Sequence, residues 1–154
     1  MHVQPTLYIV YNAKSTVLGK AEYVYRKATC SNPESDPACA ACELTHGPSL
    51  RLTETPEWKA TKARIQRADL VQVHADERPP SLVQWMKTNG VSSPAIIAGT
   101  TPASSTATGD NSCFTLLLTS DDLSQVRRDQ AQFLQLLYRR CCEAAIPEIN
   151  VDLP

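Results

Sequence analysis

The residues best suited to chemistry are cysteines and a histidine that lie close together early in the chain. Cys30 is followed by a segment from Cys39 to His46 that contains a C-x-x-C pair. A thiolate is a nucleophile, a metal ligand and the reactive species in disulfide exchange, so cysteines at this spacing predict a thiol site. The sequence therefore points first to chemistry at sulfur.

The segment around the cysteine pair predicts a short helix over about 37–46. Asp36 can accept hydrogen bonds from the free amides of the first turn, and the proline that follows it is favoured at the first helical position. A glycine and a proline after His46 supply a stop. Cys39 would then lie near the start of the helix, with Cys42 and His46 on the same face at i+3 and i+7.

Thiol–disulfide exchange is the leading hypothesis for this segment. Free amides and the helix dipole lower the pKa of a thiol at a helix N-terminus, so Cys39 is the predicted nucleophile. Cys42 is spaced to resolve a mixed disulfide. Glu43 could oppose thiolate formation or relay a proton, while His46 could stabilise charge. The expected substrate is a small-molecule or protein thiol, and no cofactor is required.

Metal binding is the alternative hypothesis, with Cys30, Cys39, Cys42 and His46 as a set suited to zinc. On a straight helix Cys39 and His46 are about 10.5 Å apart along the axis, which is long for metal bonds of about 2.0–2.3 Å. The zinc hypothesis therefore needs a turn in place of the first part of the helix. A purely structural role for the stretch remains open beside both.

Composition limits the other classes of function. Fifteen basic and sixteen acidic side chains give a formal charge of −1, so nucleic acid and anionic membranes are not expected partners. The start of the chain does not have the pattern of a secretory signal, and no apolar run reaches the roughly 18 residues that span a bilayer. We therefore expect a cytoplasmic protein, whose six cysteines are reduced, metal-bound or redox-active rather than structural disulfides.

Apolar periodicity predicts a single α/β domain. The predicted elements are a strand at 7–11, a helix at 17–28, a Cys-rich insertion at 29–54, a helix at 56–68, a strand at 70–74, a helix at 81–87, a strand at 93–98, a flexible loop at 99–112, a strand at 114–119, one long helix from about 120 to 145, and a tail at 147–154. Strands separated by helices pair in parallel, and the last two form a hairpin. The prediction is a four-stranded mixed sheet flanked by helices.

This order of elements resembles the thioredoxin-like superfamily, particularly its glutaredoxin-sized core. The resemblance implies that Pro94 lies beside the active site and that the peptide bond before it is cis. The chain departs from the superfamily after the first strand, where thioredoxins and glutaredoxins carry C-x-x-C. Here that loop reads Asn12-Ala13-Lys14-Ser15-Thr16, so the redox role does not carry over to it.

In detail the chain is similar to a poorly characterised group of small proteins. These open with a Y-N-A strand end and later carry C-x-x-C-x-L-T-H-G before a tryptophan. Tyr11-Asn12-Ala13, Cys39–Gly47 and Trp58 match that pattern, over roughly the first half of the chain. The similarity implies no particular activity.

The carboxyl end of the first strand supports a further alternative, a small-molecule enzyme or binder. Asn12, Lys14 and Ser15, opposite Pro94, would line the crevice of a thioredoxin-like sheet, where a polar substrate could bind without a thiol. His74 ends the second strand and could face the same crevice, although a solvated strand end is favoured.

Two groups of residues outside these sites have simpler interpretations. Cys141 and Cys142 point about 100° apart on a helix, so one should lie in the core and the other near the surface. Cys113 has no assigned role. Four arginines are expected on a solvated face: Arg127, Arg128, Arg139 and Arg140.

Overall fold

The computed structural model describes residues 4–29, 39–47, 53–100 and 113–154. Its elements are β1 (Thr6–Val10), α1 (Val17–Thr29), α2 (Ala40–His46), α3 (Pro56–Ala63), β2 (Ile65–Gln66), β3 (Asp69–Val73), α4 (Pro80–Thr88), β4 (Ala95–Thr100), β5 (Cys113–Leu118), α5 (Ser120–Val126), α6 (Gln130–Glu143) and β6 (Asn150–Val151). None of the helices in these ranges is long and apolar enough to cross a membrane.

The main sheet has four strands in the order β3-β1-β4-β5. β1 pairs parallel with β3 and antiparallel with β4, and β5 completes the sheet antiparallel to β4. The predicted α/β class and mixed sheet are therefore confirmed. Val10 is in register with Val73, so β1 and β3 end at the same edge and the residues that follow them lie side by side.

Each face of the sheet has its own apolar core, as alternation along the strands requires. Leu7 and Ile9 belong to the larger core, which also contains α2, Trp58 and Phe133. The smaller core joins Val10 and other residues of the opposite face to Leu82 and Met86 of α4. Since α2 belongs to the larger core, its position relative to β1 is fixed by buried apolar contacts.

The prediction of one long final helix is wrong, because the chain bends between α5 and α6. Thr119 forms a capping box with Asp122 at the start of α5, and the Asp129 side chain accepts from the Gln132 amide at the start of α6. A new N-cap in the middle of an apolar periodicity ends one helix and begins another. The break brings Arg127 towards α2, as described below.

Two further boundaries differ from the prediction. α3 ends at Ala63 and is followed by β2, although a helix to about Ala68 was predicted. β2 pairs antiparallel with β6, so part of the predicted tail forms a two-stranded sheet. Arg67 has a positive φ of 59°, a conformation that a continuous helix cannot contain.

The cis peptide bond implied by the resemblance to the thioredoxin-like superfamily is present just before β4. The peptide bond between Ser93 and Pro94 is cis, and β4 begins at the next residue. Gly99 and Thr100, placed in the loop by the sequence, belong to β4, and 101–112 lie outside the described residues. A Cβ on Gly99 would come within 3.0 Å of the Tyr8 ring and 3.2 Å of the Phe114 ring, so glycine is needed for this packing.

Candidate functional site

Cys39 is the N-cap of α2 and not a residue of its first turn. Its backbone is extended (φ −161°, ψ 105°), and its sulfur accepts a hydrogen bond from the Cys42 amide at 3.2 Å. The helix therefore begins at Ala40, later than the predicted start at 37, because the Cys39 sulfur takes the capping role assigned to Asp36. Asp36 itself lies outside the described residues.

Cys39 and Cys42 form a disulfide, with their Cα atoms 5.2 Å apart. Both residues are buried, at 2% and 4% exposure, and the rest of α2 up to Thr45 is buried with them. The structure thus brings together the two sulfurs that the spacing paired, in an oxidised state that is compatible with thiol chemistry.

Cys42 borders an opening at the carboxyl end of β1, here called the Cys42 cleft. It is lined by Tyr11, Ala13, Lys14, Lys20, Cys42, His46 and His74. The enclosed space is about 40 Å³, which is room for about one water molecule. Cys39 is not among the described residues of this lining, so a reagent in the cleft meets Cys42.

A chain of hydroxyl groups connects β1 to α2 beside the cleft. The Tyr11 hydroxyl donates to Thr45 Oγ1 at 3.2 Å, and Thr45 Oγ1 donates to the Cys42 carbonyl at 3.2 Å. The amide of Gln72 on β3 donates to the Tyr11 oxygen. These buried polar groups are mutually satisfied, which fixes their relative positions.

The same chain determines the tautomer of His46. Its Nδ1 lies 2.8 Å from Thr45 Oγ1 and 3.2 Å from the Cys42 carbonyl. We assign the proton to Nδ1, because the Cys42 carbonyl 3.2 Å from it can only accept a hydrogen bond, and Nε2 then holds the lone pair. Burial lowers the pKa of His46. The hydrogen bond to the Cys42 carbonyl and the charge of Glu54 act against this shift, and the charges of Lys27 and His74 act with it. Neutral His46 is therefore available as a base.

Tyr11 lies between the two histidines of the cleft. Its ring centroid is 6.0 Å from that of His46 and 5.2 Å from that of His74. Burial raises the pKa of Tyr11, so the phenol stays protonated and acts as a donor. His74 Nδ1 lies 2.7 Å from Glu77, which holds the imidazole at the strand end.

The structure brings only some of the predicted crevice residues to this site. Lys14 lines the Cys42 cleft. Among the described residues, its lining does not include Asn12, Ser15 or Pro94. The Asn12 carbonyl accepts from Arg26 at 2.7 Å, and Ser15 donates from its amide and hydroxyl to Asp76 at 2.7 and 2.6 Å. Those two residues hold the loop after β1 in place.

Glu43 connects α2 to the break between α5 and α6. Its two carboxylate oxygens accept from Arg127 at 3.0 Å and from Arg128 at 2.7 Å. The side chains of Glu43 and Arg127 are 7% and 8% exposed. The prediction of a solvated face is therefore wrong for Arg127, because the helix break directs it inward. At the end of α2, the Lys27 ammonium donates to the Gly47 carbonyl at 3.0 Å.

Three of the four residues in the predicted zinc set, Cys39, Cys42 and His46, lie in the described ranges. Cys30 lies outside the described residues, Cys39 and Cys42 are bonded to each other, and His46 Nδ1 is held by Thr45. In the described ranges, no cluster of three or more His, Cys, Asp or Glu side chains could hold a metal ion. A zinc ion would need the disulfide reduced and Cys30 brought to the pair.

The sequence assigned no role in the site to Tyr11 or Lys20 and favoured a solvated position for His74. The order of the strands nevertheless contains a signal that would place Tyr11 and His74 in the site. Tyr11 and His74 each follow directly after a strand, and parallel strands of equal length end at one edge. Lys20 lies one turn into α1, where helical periodicity gives no sign of a distant cleft.

Searches against protein-family models, curated proteins and solved structures gave no match for this chain. The site is therefore defined by its geometry alone.

Proposed function

We propose that this protein is a thiol–disulfide exchange protein in which Cys39 and Cys42 form the redox-active pair. The observation that carries the proposal is a disulfide whose Cys42 end borders a cleft that also contains a neutral, base-competent histidine. A disulfide that served only as a brace would need neither the opening nor the base.

The exchange step follows from the positions of the two sulfurs. A thiol in the cleft gives its proton to His46 Nε2, and its thiolate attacks the Cys42 sulfur. The bond between the two cysteines breaks and its electron pair stays on Cys39, whose thiolate accepts from the Cys42 amide at 3.2 Å. A hydrogen bond of this kind makes Cys39 the better leaving group.

A second substrate thiolate completes the reaction by attacking the substrate sulfur of the mixed disulfide. The products are a substrate disulfide and the reduced Cys39/Cys42 pair, so two thiols are oxidised as one protein disulfide is reduced. In the reverse direction the Cys39 thiolate attacks the Cys42 sulfur of the mixed disulfide and expels the substrate. These roles are the reverse of those predicted from the sequence: Cys42 forms the mixed disulfide with the substrate, and Cys39 resolves it.

We also infer that the chain is a thioredoxin-like protein with a displaced redox pair. Support comes from the parallel pairing of β1 with β3, the antiparallel β4–β5 hairpin and the Ser93-Pro94 dipeptide before β4. The pair lies on α2, an element inserted between the first helix and the next strand of the main sheet, and not in the loop after β1.

Trapping of mixed disulfides tests the proposal. The Cys39→Ser and Cys42→Ser variants are incubated with oxidised 2-mercaptoethanol, digested and mapped by mass spectrometry. Cys42 of the first variant should acquire the adduct and retain it, because its resolving partner is gone. Cys39 of the second variant should react more slowly. Absence of an adduct on both cysteines in folded protein would contradict the proposal.

Zinc is the second candidate, because Cys30, Cys39 and Cys42 together could supply thiolates once the pair is reduced. Metal analysis of reduced protein, purified without chelator, separates the two functions. About one equivalent of zinc retained through dialysis would favour a metal-binding module. Exchange chemistry predicts a metal-free pair that cycles between dithiol and disulfide.

A further inference from the structure

The charged side chains that line the Cys42 cleft have one sign. Its described lining contains two lysines, Lys14 and Lys20, and two imidazoles, but no carboxylate. Outside the lining, Glu54 and Lys27 both act on His46, with opposite signs. Both lining lysines are exposed, so their ammonium groups can move to meet a ligand at the mouth of the cleft.

The carboxylates near the cleft are engaged by other groups. Glu54 lies 2.7 Å from the ammonium of Lys62, and Glu77 lies 2.7 Å from His74. Asp76 accepts both hydrogen bonds that Ser15 offers. Hydrogen bonds to neutral groups leave Asp76 and Glu77 charged, so the positive character belongs to the lining of the cleft, where the two lysines lie, although the formal charge of the whole chain is −1.

The size of the opening restricts what can reach the sulfur. Cys42 is 4% exposed, and the enclosed part of the cleft has room for about one water molecule. A space of this size favours a small primary thiol over a bulky or branched one. Charged groups of the same molecule would remain at the mouth, beside the lysines.

We propose that the substrate is a small primary thiol that carries a negatively charged group, held at the mouth by Lys14 and Lys20 while its sulfur reaches Cys42. This inference rests on the proposed function. It adds a substrate class to that function, since the sequence left small-molecule and protein thiols equally open.

The test compares thiols of similar size and different charge as reductants of the Cys39–Cys42 disulfide in the folded protein. The probes are 3-mercaptopropionate, 2-mercaptoethanol and cysteamine, at one ionic strength. Each rate constant is divided by that measured for the same disulfide in urea-unfolded protein, which removes differences in intrinsic thiol reactivity. A fourth probe, 2-mercaptoethanesulfonate, distinguishes a need for a carboxylate from a need for any anion.

We expect the anionic thiol to exceed the neutral one by about fivefold for each lysine engaged, as expected for unit charges about 4 Å apart in water, and the cationic thiol to be slowest. The preference should fall in 1 M salt, where the screening length is about 3 Å. The double variant Lys14→Gln, Lys20→Gln should lose it. The control is Lys59→Gln, which changes an exposed lysine of α3 outside the cleft lining and should keep the preference.

Failure of this inference is distinguishable from failure of the proposed function. Equal normalised rates for all three charges would overturn the substrate class while exchange at Cys42 stood. Resistance of the folded disulfide to every thiol would overturn both.

Discussion

The Tyr11 hydroxyl donates to the Thr45 hydroxyl at 3.2 Å, joining the end of β1 to the last turn of α2 across 34 positions of sequence. Thr45 in turn receives the Nδ1 hydrogen of His46. One phenol therefore holds the helix that carries the disulfide and orients the imidazole beside it.

Tyr11→Phe should destabilise the protein and slow exchange. The substitution removes one of the hydrogen bonds of the buried Thr45 oxygen and the acceptor of the Gln72 amide, so we expect a loss of about 1–2 kcal/mol in the free energy of unfolding. Urea denaturation measures that loss, and thiol-exchange kinetics measure the second effect. Tyr8→Phe is the matched control, since Tyr8 packs edge-on against Phe114 on the opposite face. Equal exchange rates in the two variants would contradict the positioning role of Tyr11.

Protonation of His46 should determine the acid limb of the pH–rate profile, which is the fall of the exchange rate constant at low pH. Because burial lowers its pKa, neutral His46 persists below its ordinary value of about 6.5, and its contribution to the exchange rate should be lost only at more acid pH. In His46→Gln the rate at neutral pH should be lower and this limb should disappear. Rate constants from pH 4 to 8 for both proteins check the prediction. An unchanged limb in the variant would assign it to another group.

The same pKa shift has a consequence for stability. Folding lowers the affinity of His46 for a proton, so the unfolded chain takes up that proton first as the pH falls. The contribution of neutral His46 is present above about pH 6.5 and is lost between that pH and its lowered pKa. The difference in unfolding free energy between wild type and His46→Gln, measured across this window, isolates the effect from acid groups whose pKa values are also lowered.

Glu43→Gln should be strongly destabilising. It removes a nearly buried charge that pairs with Arg127, which is 8% exposed, and so leaves a guanidinium without its buried counter-charge. Breaking such a pair costs about 3 kcal/mol. Glu143→Gln is the control, since its pairs with Arg139 and Arg140 are exposed and should each contribute below about 1 kcal/mol. Similar denaturation midpoints for the two variants would show that the link from α2 to α5 contributes little.

The adjacent cysteines of α6 should react very differently. Burial raises the pKa of Cys141 to about 11, whereas Cys142 is exposed. At pH 8 iodoacetamide should label Cys142, and also the exposed Cys113, before Cys141. Peptide mapping after short labelling times measures the order, and equal labelling of Cys141 and Cys142 would contradict the buried position of Cys141.

Much of the fold could be predicted because its signals are local. β1, α1, β3 and β5 follow apolar runs or periodicities, and their pairing follows from the order of strands and helices. The pairing of β2 with β6 depends on contacts between segments more than 80 residues apart, which no local pattern contains. The break after α5 was missed because the apolar stripe continues through it, while the competing cap at Asp129 is a single residue.

The sequence predicts the pairing of Cys39 with Cys42, but it does not predict the contacts that surround the pair. The C-x-x-C spacing is sufficient to pair Cys39 with Cys42, because residues three apart at a helix start are neighbours. Cys39 is the N-cap because its backbone is extended. No local sequence signal selects Cys39 over its neighbours for that conformation. The buried partner of Glu43 came from a helix break 84 positions away, so a local interpretation could not find it.

The most direct measurement is reduction of the Cys39–Cys42 disulfide under conditions in which the protein stays folded. Protein is held in thiol redox buffers of decreasing potential without denaturant, quenched with an alkylating agent and mapped by mass spectrometry, while near-ultraviolet circular dichroism reports tertiary structure. The exchange function predicts that the pair is reduced and reoxidised reversibly with the native spectrum retained. A pair that is reduced only when the native spectrum is lost would be a structural brace, which would contradict the account.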